Sequence, residues 1–499
     1  MNIQNYITYT LEKGGEFLDG ILQNLVGSKH NLSAKFGRES KLISASHDGL
    51  SITGTKFLSA KKSKEHLLCF APSGVGKSTV FLIPSALRIA SAYKPASMII
   101  NNPSGELSKM TNHFVNQGYK VYSFDPDNKE QSIYYNPLHR IQSPSDITKV
   151  ATMLVQKNGK KTSDFWDLKS IELISLLIEF LLENTSKIYQ NIGNVYYLLE
   201  NLAGNEDVVN GLFADESTQS QWRAYKSVIA NSEKTKSNII SSAISHLSFI
   251  GKDPSLLDVT SVDTFDFARM RKEKIVLFLN CNITNMNYYS PLFGLFFEQL
   301  FSEVFRSIPQ VKDNDLYLLI DELSSIPLPS LSNVIANARK YMSILGVLQS
   351  ENQLYENYGQ YNAKSILNNA CKVYMTGLND ECDRISKALG DYQYYEDNDK
   401  KILRSRALMT GSEIRTMPKD NVIVIPNGGM KPLLCKVKPY YKIKSFVKAM
   451  EMELPENFSP ENNPSYRIQY LPLEAYTKKK NATVAVNNNL KTKQDEVND

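Results

Sequence analysis

The run Ala71-Pro72-Ser73-Gly74-Val75-Gly76-Lys77-Ser78-Thr79, directly after the apolar Leu67-Leu68-Cys69-Phe70, constrains this chain more than any other feature. It predicts a strand entering a phosphate-binding loop and then a helix. Gly74 and Gly76 let the backbone turn tightly and aim successive N–H groups at phosphate oxygens. Lys77 reaches the β- and γ-phosphates as a point charge, and Ser78 is placed to bind Mg²⁺. The helix starting near Lys77 turns the positive end of its dipole to the same anion. Ser73, Gly74, Val75, Gly76, Lys77, Ser78 and Thr79 are therefore the expected contacts to a nucleoside triphosphate, ATP with Mg²⁺. Ala71 stands where the pattern G-x-x-x-x-G-K-[ST] begins with Gly, and Ala adopts the strand-end conformation needed there. A glycine-bearing turn that binds nothing is the plainer alternative; the order strand, loop, helix speaks against it.

A second motif narrows the chemistry. Leu316-Tyr317-Leu318-Leu319-Ile320 ends in Asp321-Glu322, a buried parallel strand with two carboxylates at its tip. Asp321 would join Ser78 in holding the metal, and Glu322 would polarise an attacking water. Two acids closing an apolar strand suit hydrolysis better than transfer to a bound alcohol, which leaves a small-substrate kinase poorly served. Solvated acids at a strand end are the bland reading, common in isolation.

With 499 residues the chain is too long for one ordinary core, so two or more domains are expected. Hydrophobic residues at 42% and charged residues at 22% are typical of a soluble globular protein. A net charge of +5 permits a basic patch for nucleic acid without arguing for one. Cys69, Cys281, Cys371, Cys382 and Cys435 lie scattered with no C-x-x-C pair, as reduced thiols do, and the six histidines have no metal-ligand spacing. No run reaches the roughly 18 apolar residues of a membrane span. Glu179 interrupts Leu173–Leu182, and Glu298 interrupts Pro291–Phe305. Residues 3–26 carry apolar positions at helical intervals and read as a docking helix; Glu12, Glu16 and Asp19 weigh against a membrane-surface role.

Along the chain, strands are expected at Leu67–Phe70, Ser97–Ile100, Lys120–Phe124, Ile275–Leu279, Tyr317–Ile320, Ser343–Leu348, Lys372–Thr376 and Val422–Ile425, alternating with helices. That alternation predicts an α/β fold with a parallel sheet covered on both faces. Residues 145–262 instead show helical periodicity throughout, as in Leu173, Leu176, Leu177, Phe180 and Leu181. The expected organisation is a docking segment at 1–45, a nucleotide-binding domain at 46–145 and 262–475, an all-helical domain inserted at 146–261, and a disordered tail at 476–499. The insertion explains why Lys77 and Asp321 stand 244 residues apart (321 − 77).

Several further motifs, in order, carry a family resemblance. Phe81-Leu82-Ile83-Pro84-Ser85 follows the loop, and then comes Asn102-Pro103-Ser104-Gly105-Glu106-Leu107, similar to D-P-K-G-E-L. Phe124-Asp125-Pro126, Tyr135-Asn136-Pro137-Leu138 and Phe165-Trp166 follow. Ile335–Arg339 precedes Gly346-Val347-Leu348-Gln349-Ser350, similar to G-x-x-Q-S at a strand end. Asn368-Asn369-Ala370-Cys371, Gly377-Leu378-Asn379-Asp380, Leu389-Gly390 and Gly428-Gly429-Met430-Lys431-Pro432 complete the series. Over roughly residues 50–440 the chain resembles the type IV coupling proteins, the TraG/TraD-like ATPases of conjugation and type IV secretion. It departs at Asn102 and Ser104, where the family has Asp and Lys. It also departs in lacking the usual membrane-spanning helices, like the anchor-free variants whose attachment would come from a separate membrane-anchor subunit.

The resemblance implies a RecA-like P-loop NTPase domain with an inserted all-helical domain. It implies a homo-hexameric ring with nucleotide at the subunit interfaces and a central channel for DNA. Lys77, Glu322, Arg339 and Gln349 are the implied catalytic residues, with Ser78 and Asp321 on the metal. Arg339 would act as a finger on a neighbour's nucleotide and Gln349 would sense the γ-phosphate; Arg384 is a second finger candidate. The implied work is ATP-driven movement of single-stranded DNA with its relaxase toward the channel subunits of a type IV secretion system. The implied location is the cytoplasm, at the inner face of the membrane through partners. A double-stranded DNA translocase of the segregation type, or a docking platform that binds ATP without turnover, are the competing readings.

Overall fold

A computed structural model describes residues 33–156, 164–281, 283–395, 403–455 and 464–473. The expected docking helix within residues 3–26 and the expected tail at 476–499 lie outside the described residues.

In chain order the strands are β1 (Ile43–Ser44), β2 (Phe57–Leu58), β3 (Leu67–Phe70), β4 (Ala96–Asn102), β5 (Lys120–Phe124), β6 (Ile275–Asn280), β7 (Asp315–Ile320), β8 (Ser343–Leu348), β9 (Cys371–Met375), β10 (Asp391–Tyr395), β11 (Leu403–Ala407), β12 (Asn421–Ile425) and β13 (Leu433–Lys436). Nine of them form one sheet in the order β13-β12-β9-β3-β8-β7-β4-β6-β5, and β1-β2 and β10-β11 are separate antiparallel pairs. Every pairing from β9 to β5 is parallel. The expectation of a wholly parallel sheet fails at one edge, where β12 runs antiparallel to both β9 and β13. The short connection 426–432, with Gly428 and Gly429 at φ +73° and +72°, can join only antiparallel neighbours. β13 is absent from the strands expected from sequence: its four residues alternate buried and exposed, a short and weak signal typical of an edge.

The other strands are near-continuous apolar runs because both faces are covered. Successive residues alternate between two buried clusters. Leu68, Phe70, Ile99, Leu318, Ile320 and Ile344 face one side; Leu67, Cys69, Met98, Ile100, Leu319 and Leu345 face the other. The second cluster is closed by Val80–Ala90 and Phe114, the first by helix Met286–Val304 and by the helical block.

Among the described residues between Pro144 and Val259 every regular element is a helix or a single 3₁₀ turn. The starts are capped by sequence: Ser143 with Asp146 and Thr218 with Gln221 form capping boxes, and Asn191 Oδ1 accepts from Asn194 N at 2.9 Å. Helix Phe165–Asn184 is the central strut. Its Phe180 stacks on Phe213 (4.3 Å between centroids), which stacks on Tyr225 (4.2 Å). Each such pair adds about 0.5–1.5 kcal/mol beyond area burial. The block shares one buried cluster with its face of the sheet, so it is seated on the strands rather than tethered to them.

Candidate active site

β3 is buried on both faces and stops at Phe70. Ala71 extends the ladder by donating its N–H to Leu348 O at 3.1 Å, and is itself fully buried. An ordinary strand-end backbone at this position is what lets Ala replace Gly. Gly74 and Gly76 then take φ of +78° and +95°. A Cβ on Gly74 would meet nothing within 4 Å, so backbone conformation and not space demands glycine there. Lys77 folds back over the loop, with Nζ donating to Ala71 O (2.6 Å) and Pro72 O (3.1 Å). Burial pulls its pKa below the usual lysine value, and the nearby Glu322 and Asp321 partly oppose that. Thr79 Oγ1 donates to Gly76 O at 2.9 Å and closes the loop onto the helix.

The helix does not begin as a regular α-helix. Ser78–Leu82 is a π-helical turn, and the α-helix proper runs over Ile83–Ala90. Pro84 has no N–H for the carbonyl of Val80. That carbonyl is satisfied by Ser51 Oγ at 2.8 Å, while Ser85 Oγ donates to Phe81 O and in turn accepts from Ser51 N. The apolar-Pro-Ser segment after the loop thus needs a serine from the preceding segment to complete it.

Two strands away, β7 brings Asp321 to the loop: Ser78 Oγ donates to Asp321 Oδ2 at 3.0 Å. Burial raises the Asp321 pKa; the Ser78 bond and Lys77 lower it, and Glu322 raises it further. Glu322 adopts a left-handed backbone (φ +56°, ψ +62°), unusual for a residue with a side chain and costing of order 1–3 kcal/mol. The surroundings hold it there. Asn101 of β4 donates to Asp321 O at 2.8 Å, and Ser325 N and Oγ both donate to Glu322 O. Leu323 is buried against β8 where Gly346 leaves room; a Cβ on Gly346 would stand 2.7 Å from Leu323 Cδ2. The Glu322 carboxylate accepts from Ser324 Oγ (3.0 Å), from Gln349 Nε2 (3.3 and 3.4 Å) and from Gln353 Nε2 (3.3 Å).

The structure therefore gathers Ser73–Thr79, Asp321, Glu322 and Gln349 at the C-terminal edge of β3, β8 and β7, where open α/β sheets place their ligands. Arg339 is not among them. It lies in a 3₁₀ turn just before β8, at the opposite edge, and its Nη2 donates to Asn369 O at 3.2 Å. The six residues of β8 span about 20 Å between the two edges. Gln353, Ser324 and Asn101 escaped the sequence reading. Gln353 had a signal: it stands four residues after Gln349, in the first turn of helix Asn352–Asn368.

The neighbouring strand tips behave differently. Asn102 Nδ2 donates to Asn280 Oδ1 (2.8 Å) and Ser108 Oγ (2.9 Å), and its Oδ1 accepts from Leu107 N (3.0 Å). Asn280 Nδ2 donates to Ser123 Oγ at 2.9 Å. Asn102 thus braces the turn 103–107, while Ser104 is exposed. A cleft of about 1200 Å³ opens elsewhere, between helices Pro144–Val155 and Met286–Val304, and none of the expected site residues line it. Among the described residues no group of three His, Cys, Asp or Glu could hold a metal, and no helix is long and apolar enough to cross a membrane.

The model of the family described as type IV secretory system conjugative DNA transfer matches residues 28–465. The VirD4 protein of Rhizobium radiobacter is 24% identical over 420 residues, covering 78% of this chain and 59% of its own length. The VirD4 protein of Agrobacterium fabrum is likewise 24% identical over 420 residues, covering 78% and 60%. The chain thus spans about 60% of the length of these curated relatives. Among solved structures, the plasmid coupling protein TrwB in complex with ADP and Mg²⁺ superimposes with a TM-score of 0.64 at 17% identity, covering 87% of this chain and 96% of that one. TrwB bound to the non-hydrolysable ATP analogue ADPNP gives the same values. The shared feature is the fold, a RecA-like α/β sheet carrying a helical domain.

Proposed function

Because the chain belongs to the family of type IV secretory system conjugative DNA transfer proteins, we propose that it is an ATP-driven coupling protein. In this reading it recruits a relaxase–DNA complex and moves single-stranded DNA to a type IV secretion channel. The observation that carries the reading is the convergence of Lys77, Ser78, Asp321, Glu322 and Gln349 on one sheet edge, from segments far apart in sequence.

The residues fit ATP with Mg²⁺, the ligand class of the TrwB complexes. Gly74 and Gly76 hold the loop backbone in the conformation that turns N–H groups inward. Among the described residues the Lys77 ammonium is bonded only to loop carbonyls, so it can be handed to phosphate oxygens. Ser78 and Asp321 are already paired and would share the metal, which supplies charge neutralisation on the phosphates. Glu322 orients the attacking water, and Gln349 and Gln353 fix the direction of its carboxylate. Arg339, an edge away from its own chain's cluster, serves as the finger for a neighbour's nucleotide in a homo-hexamer. Such a group is worth about 10³–10⁵ in rate. DNA contacts are to phosphates and therefore salt-dependent and sequence-tolerant. The helical block 146–261 contacts cargo, and the membrane is reached through partners.

The test is hydrolysis of ATP by the assembled protein with and without single-stranded DNA, at two salt concentrations. DNA stimulation that weakens with salt is the expected result. Absence of turnover in every oligomeric state would leave only the docking platform. Stimulation by duplex alone would favour the segregation-type translocase.

A further inference from the structure

Glu351 lies two residues beyond Gln349 and is 3% exposed. Its Oε2 is 2.9 Å from Arg384 Nη2, and its Oε1 accepts from Tyr374 OH at 2.5 Å. Its N–H donates to Glu381 Oε1 at 3.0 Å, and its carbonyl accepts from Leu354 and Tyr355 N–H groups at the start of helix Asn352–Asn368. Residues 349–353 are therefore anchored at Glu351 and grip Glu322 through Gln349 and Gln353, which are joined by a 2.8 Å bond from Gln349 N to Gln353 Oε1. The anchor also touches the phosphate-loop strand: the Tyr374 ring stacks on Phe70, the last residue of β3, at 5.3 Å.

Arg384 belongs to helix Cys382–Leu389 and packs its guanidinium over Tyr355, 5.4 Å from the ring centroid. Two buried carboxylates, Glu351 and Glu381, share this corner, and burial pushes the Glu381 carboxyl above the usual range. Moving the cation away would take from the buried Glu351 its ion-pair partner and leave it only the more distant Lys372, a loss that a low-dielectric setting penalises heavily.

We propose that Arg384 is a positioning residue acting within its own chain: paired to Glu351, it holds Gln349 and Gln353 against the Glu322 carboxylate and does not serve as a finger for a neighbour. This rests on the reading of the site as an ATPase. Because Arg384 is 44% exposed on its outer side, contacts made there pass to Glu322 through the same pair.

The experiment compares Arg384→Ala, Arg384→Lys, Glu351→Gln and the double Arg384→Ala/Glu351→Gln variant, by steady-state ATP hydrolysis and by hydrogen exchange of residues 349–356. The expected result is a kcat about tenfold lower for Arg384→Ala and Glu351→Gln with KM changed by less than about twofold, and a double variant no worse than either single. Arg384→Lys, which keeps the pair, retains most of the kcat. The amides of 349–356 exchange faster in the Ala and Gln variants only. A finger would give the opposite pattern: Ala and Lys equally inactive, Glu351→Gln fully active, which overturns the proposal. Unchanged exchange at 349–356 overturns it as well, whatever the turnover. A wild-type protein with no turnover but with the expected exchange pattern would sink the ATPase reading and leave the positioning role standing. The near-isosteric Glu351→Gln keeps the test open if Arg384→Ala fails to fold.

Discussion

The C-terminal edge of the central sheet has two halves with similar residues and opposite behaviour. At β4, β6 and β5 the polar tips satisfy one another: Asn102, Asn280, Ser108 and Ser123 are linked by bonds of 2.8–2.9 Å. At β3, β8 and β7 the polar groups come from separate segments and point to one spot. Lys77 rests on loop carbonyls, and Gln349 and Gln353 reach Glu322 at 3.3–3.4 Å. Asn101 stitches the two halves by donating to Asp321 O. A strand tip is functional when its polar groups keep bonding capacity for a ligand, and structural when they have used it on each other. Asn102, one of the two departures from the family pattern, falls in the structural half.

Substitutions on the two halves should separate turnover from stability. Glu322→Gln removes the proposed base and should lower kcat by about 10²–10⁴-fold while an ATP analogue still binds, measured by turnover and by equilibrium titration. Lys77→Ala should cost about 10²–10³-fold or more in kcat with the melting temperature unchanged. Asn102→Asp should do the reverse. A carboxylate cannot donate to Asn280 Oδ1 and Ser108 Oγ, so denaturant unfolding should report a loss of about 1–3 kcal/mol with turnover intact. A kcat collapse in Asn102→Asp would erase the contrast.

The smallest effect concerns the opposite edge. His66 is fully buried, and burial, then the charge of Arg339, lowers its pKa from 6.5 to about 3. The unfolded chain takes up a proton that the folded chain refuses, so this stabilisation is complete above pH 6.5 and is lost as pH falls toward 3. The slope approaches about 1.4 kcal/mol per pH unit. Unfolding curves of His66→Gln between pH 6 and 4 should be flatter by about that amount; an identical slope would place the titration elsewhere.

Much of the site was legible. The glycine loop after β3 and the apolar strand ending in Asp321-Glu322 appear where residue type and spacing put them, because a tight glycine turn and an apolar strand are local consequences of composition. The eight expected strands all appear, and so does the all-helical stretch. What escaped is non-local. β12 and β13 carry too little pattern to reveal their direction. Asn101 and Ser324 look like ordinary polar residues until β4 and the turn after β7 place them on Asp321 and Glu322. Arg384 reads in sequence as a second finger candidate, and its pairing with the buried Glu351 shows only once the fold brings the two together.

The sequence by itself determined what the loop can hold, that a carboxylate pair ends a buried strand, and where helices replace strands. These follow from local backbone freedom and from the period of apolar residues. Tertiary structure alone decided which distant groups meet. It set Ser78 against Asp321, Gln349 and Gln353 against Glu322, and Arg339 a strand's length away. Strand order and the packing of both sheet faces decide such meetings, and no local pattern encodes them.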